Sequence, residues 1–268
     1  MTLQEGKQRD ALLASYGFGL FPVLHYQPAR RGEWTIANHL PAVGDGYLTR
    51  AVVEERVVLS RGRHVWMSIG LLEKESHAWH VHCANGTVVT AGLGLGMFAY
   101  AAAMKPEVER VIVAEIDPDI IELMQQSSGF HSWPWREKVE ILQVDALAAD
   151  FADAVKAQTR GRSVDYLYAD IWPNFPAEEA PAQTGVMARA LKPRAAGWWG
   201  QELSFAGFCR ARQQRLDEAG FRAFFAENGV PVPEVTEGYL RFCRDLMAAY
   251  RLGSKDTLVQ RLRNFLAG

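Results

Sequence analysis

The feature that most constrains the fold is a glycine-rich loop between a short β-branched segment and an Ala-rich segment. The uncharged run from Cys83 to Met104 has the length of a bilayer span, but glycines interrupt it at Gly86, Gly92, Gly94 and Gly96. Residues 87–90 are β-branched, as in strands, whereas residues 97–104 have a helical composition. The run therefore predicts a strand, a glycine loop and a helix.

Strand-like and helix-like segments continue to alternate after this loop. The predicted strands are Thr87 to Ala91, Val108 to Ile116, Val139 to Asp145, Val164 to Asp170 and Trp198 to Leu203. The predicted helices are Met97 to Met104, Pro118 to Ser127, Ala146 to Gln158 and Ala177 to Leu191. Strands that are apolar throughout and separated by helices indicate a parallel sheet covered on both faces. We predict an α/β fold with an open, doubly wound, Rossmann-like sheet.

The flanks of this core follow other patterns. Residues 1–80 contain the turn Gly44-Asp45-Gly46 and two predicted strands, Tyr47 to Leu59 and His64 to Leu72. After residue 230, Pro231 and Pro233 precede two predicted helices, Glu234 to Leu252 and Ser254 to Leu266. We expect three parts: a β-containing N-terminal region (1–80) that could act as a lid, a binding domain (81–230) and a helical C-terminal extension (231–268).

Charge and cysteine content narrow the partners and the compartment. Lys and Arg total 29 and Asp and Glu 31, so the net charge of −2 gives no general field for nucleic acid. The cysteines Cys83, Cys209 and Cys243 fit neither a disulfide framework nor a CxxC motif, and residues 1–10 lack a signal-peptide pattern. The sequence predicts a cytoplasmic protein with a small-molecule partner, no nucleic acid and no membrane, and leaves a homodimer open.

Carboxylates end three successive predicted strands. Glu115 ends the second strand, where a carboxylate can accept both hydroxyls of a ribose. Asp145 ends the third, followed by Ala146, whose backbone N–H could reach an adenine edge. Asp170 ends the fourth, beside the centre of the crevice. Each could be a solvated acid or a helix cap, but three on one sheet edge, together with the glycine loop, indicate a nucleoside-containing ligand.

NAD and zinc are the alternatives to a cofactor that contains a single adenosine. Gly94-x-Gly96-x-x-Ala99 satisfies the GxGxxA pattern of dinucleotide sites, and Glu115 would serve NAD equally well. NAD gives Asp145 and Asp170 no required role, however, and the pattern would start after the strand end. Zinc is disfavoured because the spacing of His77, His80, His82 and Cys83 matches no common site. We predict no metal.

The segment from Val88 to about Glu202 resembles class I S-adenosylmethionine-dependent methyltransferases, and most closely their spermidine synthase-like (polyamine synthase-like) branch. Four motifs carry the resemblance: VVTAGLGLG (88–96), VERVIVAEIDPDIIEL (108–123), VEILQVDA (139–146) and VDYLYADIWP (164–173). The resemblance implies S-adenosyl-L-methionine as cofactor. It implies that Thr90, Gly92, Gly94 and Gly96 line the methionine part, Glu115 holds the ribose, and Asp145 and Ala146 meet the adenine, with Ile116 as a further cofactor contact and Asp170 near the reacting centre.

Departures from that branch bear on the reaction. Aminopropyltransferases carry an Asp in the glycine loop and a second Asp after the fourth strand, where this chain has Leu95 and Pro173. Those acids grip and deprotonate an amine, so their absence favours methyl transfer. Aminopropyl or 3-amino-3-carboxypropyl transfer, cyclisation of the cofactor, and a non-catalytic cofactor-binding module are the alternatives.

Candidate residues for the chemistry follow the fourth strand and precede the first. Asp170-Ile171-Trp172-Pro173 is similar to the acid-x-aromatic-Pro sequence of guanidinoacetate methyltransferase, which implies an amine or guanidine nitrogen as acceptor. Asp170 would orient or deprotonate that nitrogen, and Trp172 would line its site. Further acceptor-site candidates are Trp66, Glu75, His77, Trp199 and Glu202. Core packing for the aromatic side chains and a surface helix around Glu75 and His77 are the alternatives.

Overall fold

Apolar segments joined by helices form the parallel sheet that the sequence predicts. The computed structural model describes residues 11–48 and 52–250. The parallel sheet contains β5 (Gly86–Ala91), β6 (Val108–Glu115), β7 (Val139–Gln143), β8 (Tyr166–Ala169) and β9 (Ala195–Trp198). Its order is β7-β6-β5-β8-β9, and every neighbouring pair is parallel. The predicted α/β fold with a doubly wound, Rossmann-like sheet is thus confirmed.

Strand order reverses between β5 and β8, and this places the site. The chain builds outward from β5 through β6 to β7, then returns to the other side of β5 with β8. In open α/β sheets, ligands bind at the carboxyl ends of the strands where such a reversal occurs. Ala91 and Ala169 pair at these ends, and the Asp170 backbone N–H donates to the Ala91 carbonyl at 2.8 Å. Gly92 and Asp170, which follow the two strands, are therefore neighbours.

Helices cover the sheet on both faces, as alternation along the strands requires. Val89, Ala91, Leu167 and Ala169 belong to one buried cluster, whereas residues between them, such as Tyr168, belong to the other. The helices are α1 (Leu71–Cys83), α2 (Met97–Met104), α3 (Pro118–Ser128), α4 (Phe151–Gln158), α5 (Ala180–Leu191), α6 (Gln201–Ala211), α7 (Glu218–Asn228) and α8 (Glu237–Tyr250). Within the described ranges, none of them combines the length and apolarity that a membrane span needs.

A four-stranded antiparallel sheet precedes the core, in the order β1 (Ala29–Arg31), β2 (Trp34–Gly44), β3 (Val52–Arg61) and β4 (His64–Ile69). The prediction of two strands here was incomplete: it missed β1 and β2, began the next strand too early, and ran the last one into α1. The pattern analysis missed β2 because Pro41 interrupts it, and proline is rare inside regular strands. The structure accommodates Pro41 where the β2–β3 register shifts, between His39 and Ala42. The lid role and the domain boundaries stay predictions.

Three predicted elements of the core needed correction. The fifth strand ends at Trp198 instead of Leu203, because Gly200 adopts a φ of +82° and Gln201 begins α6. The predicted helix from Ala146 begins only at Phe151, and the predicted helix from Ala177 begins at Ala180. Beyond the core, α8 lies within the first predicted C-terminal helix. The second, Ser254 to Leu266, falls outside the described residues.

Candidate functional site

A cavity of about 290 Å³ lies at the strand reversal. Its walls come from the glycine loop, the carboxyl ends of β6, β7 and β8, helix α1 and the antiparallel sheet. It brings together most of the predicted site residues: Trp66, His77, Thr90, Gly92, Gly94, Glu115, Ile116, Asp145, Ala146, Asp170, Trp172 and Trp199. These residues come from distant parts of the chain, so the tertiary structure assembles one site from them.

Three predicted site residues do not line this cavity. Gly96 precedes α2 at a φ of +75° and packs toward Met124. Glu75 accepts a hydrogen bond from the Leu48 backbone N–H at 3.1 Å, under the N-terminal region. The prediction that Glu202 lies at the end of a strand is wrong. It lies in the first turn of α6 and accepts a hydrogen bond from the Tyr239 hydroxyl at 3.1 Å. Their proposed contacts with ligand therefore gain no support from their positions.

Two glycines of the loop have no room for a side chain, because neighbouring atoms occupy the space that a Cβ would need. Gly92 has a φ of +94°, and a Cβ there would lie 2.0 Å from the Asp170 carbonyl oxygen. Gly94 has a φ of +49°, and its Cβ would lie 2.4 Å from the Met67 sulfur. Both the backbone conformation and the close approach exclude a side chain. The loop backbone is thus held against the end of β8 on one side and against β4 on the other.

Replacing Gly92 should therefore destabilise the fold. We expect Gly92→Ala to lower the free energy of unfolding by about 2 kcal/mol or more, because it combines a strained φ with a clash against backbone. Gly207→Ala in α6 is the matched control, since within the described structure a Cβ there meets nothing within 4 Å. Alanine should stabilise that helix by about 0.5–1 kcal/mol. Urea denaturation measures both, and equal stabilities for the two variants would contradict this account of the loop.

Glu115 is fixed by backbone donors on both of its carboxylate oxygens. The Leu93 backbone N–H donates to Oε2 at 3.0 Å, and the Asp117 backbone N–H donates to Oε1 at 2.9 Å. Burial raises the pKa of the Glu115 carboxyl, and these two hydrogen bonds oppose that shift. Each oxygen keeps capacity for a further hydrogen bond. The carboxylate is therefore preorganised at the cavity wall to receive two donors.

Asp145 has a local role that the sequence also allowed. Its Oδ1 accepts the Leu147 backbone N–H at 2.8 Å, so the side chain shapes the turn after β7. Ala146 is buried, whereas Ile116 across the cavity wall is 62% exposed. The adenine contacts of Asp145 and Ala146 stay predictions.

At the other end of the cavity, His77 joins two acids. Its Nε2 lies 3.2 Å from Asp170 Oδ2, and its Nδ1 lies 2.7 Å from the Glu73 backbone carbonyl oxygen. The Glu73 carboxylate is 3.8 Å from that same Nδ1. Burial raises the pKa of Glu73 to about 8. Sequence reasoning passed over Glu73, although its spacing of four residues from His77 would place the two side chains together on a helix.

Aromatic side chains complete the walls near Asp170. Trp172 donates its indole N–H to Gln183 Oε1 at 2.6 Å, and Trp199 donates to Ser76 Oγ at 2.9 Å. Trp66 stands edge-on to Trp34, with ring centroids 5.3 Å apart. These hydrogen bonds fix the indoles of Trp172 and Trp199, which both line the cavity.

The charged groups around the cavity are mostly acidic. Among the described residues that line it, the carboxylates are Glu73, Glu115, Asp117, Asp145 and Asp170, and the one Lys or Arg side chain is Arg61. The Arg61 side chain is half exposed and pairs with Glu33 at 3.1 Å. Acids beside aromatic faces favour a cationic ligand, and each cation–π contact is worth about 0.5–2 kcal/mol.

The antiparallel sheet closes the cavity from above the strand ends. Trp34 on β2 donates its indole N–H to Asp117 Oδ2 at 2.8 Å, and the Leu95 backbone N–H lies 3.3 Å from the Met67 sulfur on β4. The N-terminal region therefore touches the core at the glycine loop and at the end of β6, the two places where the sequence predicts cofactor contacts.

No family model matches the chain, and no curated protein matches it. Solved structures similar to it include a spermidine synthase in complex with the transition-state analogue AdoDATO (16% identity, TM-score 0.37, 67% of this chain and 57% of that one). Others are the Thermotoga maritima spermidine synthase (16%, 0.35, 64% of each chain) and a Pyrococcus horikoshii protein described as an RNA methyltransferase (14%, 0.36, 74% and 71%). The chain thus spans less than two thirds of either spermidine synthase.

Proposed function

We propose that this chain is an S-adenosyl-L-methionine-dependent methyltransferase that acts on a small molecule at an amine or guanidine nitrogen. One observation carries the proposal. A single cavity at the strand reversal joins the bare Gly92 loop and the preorganised Glu115 carboxylate to the Asp170 and His77 pair. Its first two features suit a nucleoside cofactor, and the third suits an acceptor that carries N–H groups. The proposal also places the protein in the cytoplasm and takes a small molecule as its binding partner.

The residues present fit this cofactor. Glu115 offers two fixed carboxylate oxygens, each of which can accept a hydrogen bond from a ribose hydroxyl, and Gly92 and Gly94 line the cavity without side chains. Ala146 and Ile116 would hold the adenine, and the Thr90 hydroxyl would face the amino-acid end. When bound, S-adenosyl-L-methionine supplies an electrophilic methyl carbon. The protein's share of the work is to bind, to orient the acceptor and to exclude water.

Asp170 would do the orienting. A carboxylate accepts N–H bonds from an amine or guanidine, and it stabilises the positive charge that develops on nitrogen as the new bond forms. Trp172 and Trp199 supply aromatic faces on either side, and Glu73 adds a second acid. An anionic acceptor would find few complementary groups among these residues.

Identifying the sulfur by-product tests this proposal. Incubation with the cofactor and a panel of amines, guanidines, phenols and carboxylic acids should yield S-adenosylhomocysteine with the nitrogen acceptors, detected by mass spectrometry. Methylthioadenosine would instead indicate transfer or cyclisation of the other arm of the cofactor. Cofactor binding with no turnover of any acceptor would favour a non-catalytic binding module. Preferential binding of NAD in calorimetry would overturn the cofactor assignment.

A further inference from the structure

His77 carries a hydrogen on Nδ1. That nitrogen lies 2.7 Å from the Glu73 backbone carbonyl oxygen, which can only accept a hydrogen bond. The Ser76 hydroxyl, 3.4 Å away, donates to the same carbonyl at 3.0 Å and so does not supply the proton. The hydrogen on Nδ1 is thus set by the helix backbone, independently of anything in the cavity.

The contact between His77 and Asp170 then requires a second proton. With Nδ1 already protonated, a neutral imidazole would present a lone pair from Nε2 to Asp170 Oδ2 at 3.2 Å, and the two acceptors would repel each other. Burial disfavours a charged His77, but the hydrogen bond and the charge of Asp170 outweigh burial and raise its pKa. His77 is therefore an imidazolium that donates from both nitrogens.

We propose that Glu73, His77 and Asp170 act as one unit, in which His77 is a positioning residue that aims the Asp170 carboxylate at the acceptor nitrogen, and the Glu73 carboxylate, when ionised, helps His77 to keep both of its protons. Only the identity of the acceptor that this unit contacts rests on the proposed function. With Oδ2 engaged by His77, Asp170 has Oδ1 left for the acceptor. The proton that the acceptor nitrogen loses passes to Oδ1, while His77 keeps both of its own.

Several ionisable groups surround His77, and they do not respond alike. Burial lowers the pKa of His80 on α1 well below its usual value and raises that of Tyr168 on β8 well above it, so both stay neutral near pH 7. Burial raises the pKa of Glu202 on α6 to about 7, but its near neighbour is His80, at 3.8 Å. Asp170 and Glu73 are thus the acids that act directly on His77.

Glu73 sets the upper pH limit of the unit. Its carboxylate is buried 3.8 Å from His77 Nδ1, and it ionises near pH 8. An ionised Glu73 carboxylate favours the imidazolium form of His77. It therefore acts at the alkaline pH values at which His77 would otherwise lose its second proton. Removal of the Glu73 carboxylate should move the loss of that proton to lower pH.

Histidine titration by NMR tests the unit without cofactor or activity. In the full chain labelled at histidine, we expect His77 to titrate at a pH above the ordinary value for histidine, because Asp170 lies beside it at 3.2 Å. The midpoint should fall by about one pH unit or more in Asp170→Asn, and by less in Glu73→Gln. Titration of His77 unaltered in Asp170→Asn would overturn the proposal, and so would a His77 midpoint below the ordinary value for histidine in the wild type.

Kinetic measurements on variants provide a second test of the unit. We expect His77→Ala to lower kcat by about 10²-fold. His77→Gln, which can still donate a hydrogen bond to Asp170, should recover about tenfold of that loss. Glu73→Gln should move the alkaline limb of the kcat profile to lower pH. Equal rates for His77→Ala and the wild type would overturn the positioning role. If the wild type transfers no methyl group, the proposed function fails, but the NMR result still decides whether the unit exists.

Discussion

Asp170→Asn should lower turnover of the cofactor-saturated protein by about 10²-fold or more while leaving cofactor affinity within about twofold. The amide keeps the shape of the side chain and one acceptor oxygen but loses the negative charge. Because the acceptor nitrogen becomes positive only as the new bond forms, the lost interaction belongs mainly to the transition state. His77 in the variant also loses its counterion at 3.2 Å, which adds to the effect.

Asp165→Asn is the matched control for that variant. Asp165 precedes the same strand at its opposite end, where its carboxylate accepts the Thr87 backbone N–H at 2.8 Å and pairs with Arg194 at 3.2 Å. Its replacement should cost about 1 kcal/mol of stability and leave the rate per folded molecule unchanged. Single-turnover kinetics and cofactor titration on one preparation separate the two cases. A folded Asp170→Asn protein with normal turnover would remove the central residue of the proposed chemistry.

Glu115→Ala should weaken S-adenosyl-L-methionine binding by about 3 kcal/mol, roughly 10²-fold in Kd, because two charge-assisted hydrogen bonds to the ribose are lost. Isothermal calorimetry measures this directly. Glu115 also holds the Leu93 and Asp117 backbone N–H groups, so alanine could disturb the loop itself. Glu115→Gln addresses that possibility, since it keeps one acceptor oxygen and the shape.

The two Glu115 variants therefore give a graded expectation. Glutamine should lose part of the affinity and about 1 kcal/mol of stability, because its NH2 group would face one of the two backbone N–H donors, whereas alanine should lose most of the affinity. Unchanged cofactor affinity in both variants would mean that Glu115 only caps the glycine loop, the structural alternative that its two backbone hydrogen bonds permit. NAD serves as the comparison ligand, and preferential binding of NAD by the wild type would contradict the cofactor assignment.

Local sequence patterns were sufficient for the centre of the sheet. The β-branched residues of β5, the apolar run of β6 and the Ala-rich α2 each satisfy one period and lie between clear glycine or proline signals. Asp117 and Pro118 begin α3 with a cap and an N1 proline, and Gly129 ends it in a left-handed conformation. Where neighbouring signals agree in this way, the strand or helix follows from the chain alone.

Patterns misled where short apolar runs fit both periods. Trp198 and Trp199 favour a strand over residues 198–203, yet the chain leaves the sheet after Trp198 and turns at Gly200 into α6. A periodicity argument cannot separate four strand residues from the start of a buried helix. Gln201 and Glu202 thereby move from a predicted sheet edge into a buried hydrogen-bond cluster with Tyr239.

By itself, the sequence determined the glycine loop, the three strand-end acids and hence the edge of the sheet at which they meet, because parallel strands carry their carboxyl ends to one side. Only the tertiary structure decided which acid of the segment before β5 faces them. On α1, residues four apart share a face, so Glu73 and His77 both reach the cavity. Glu75, about 200° further around the helix from Glu73, turns toward Leu48. Asp170 lies 93 positions beyond His77, so the packing of α1 against β8 alone brings them together.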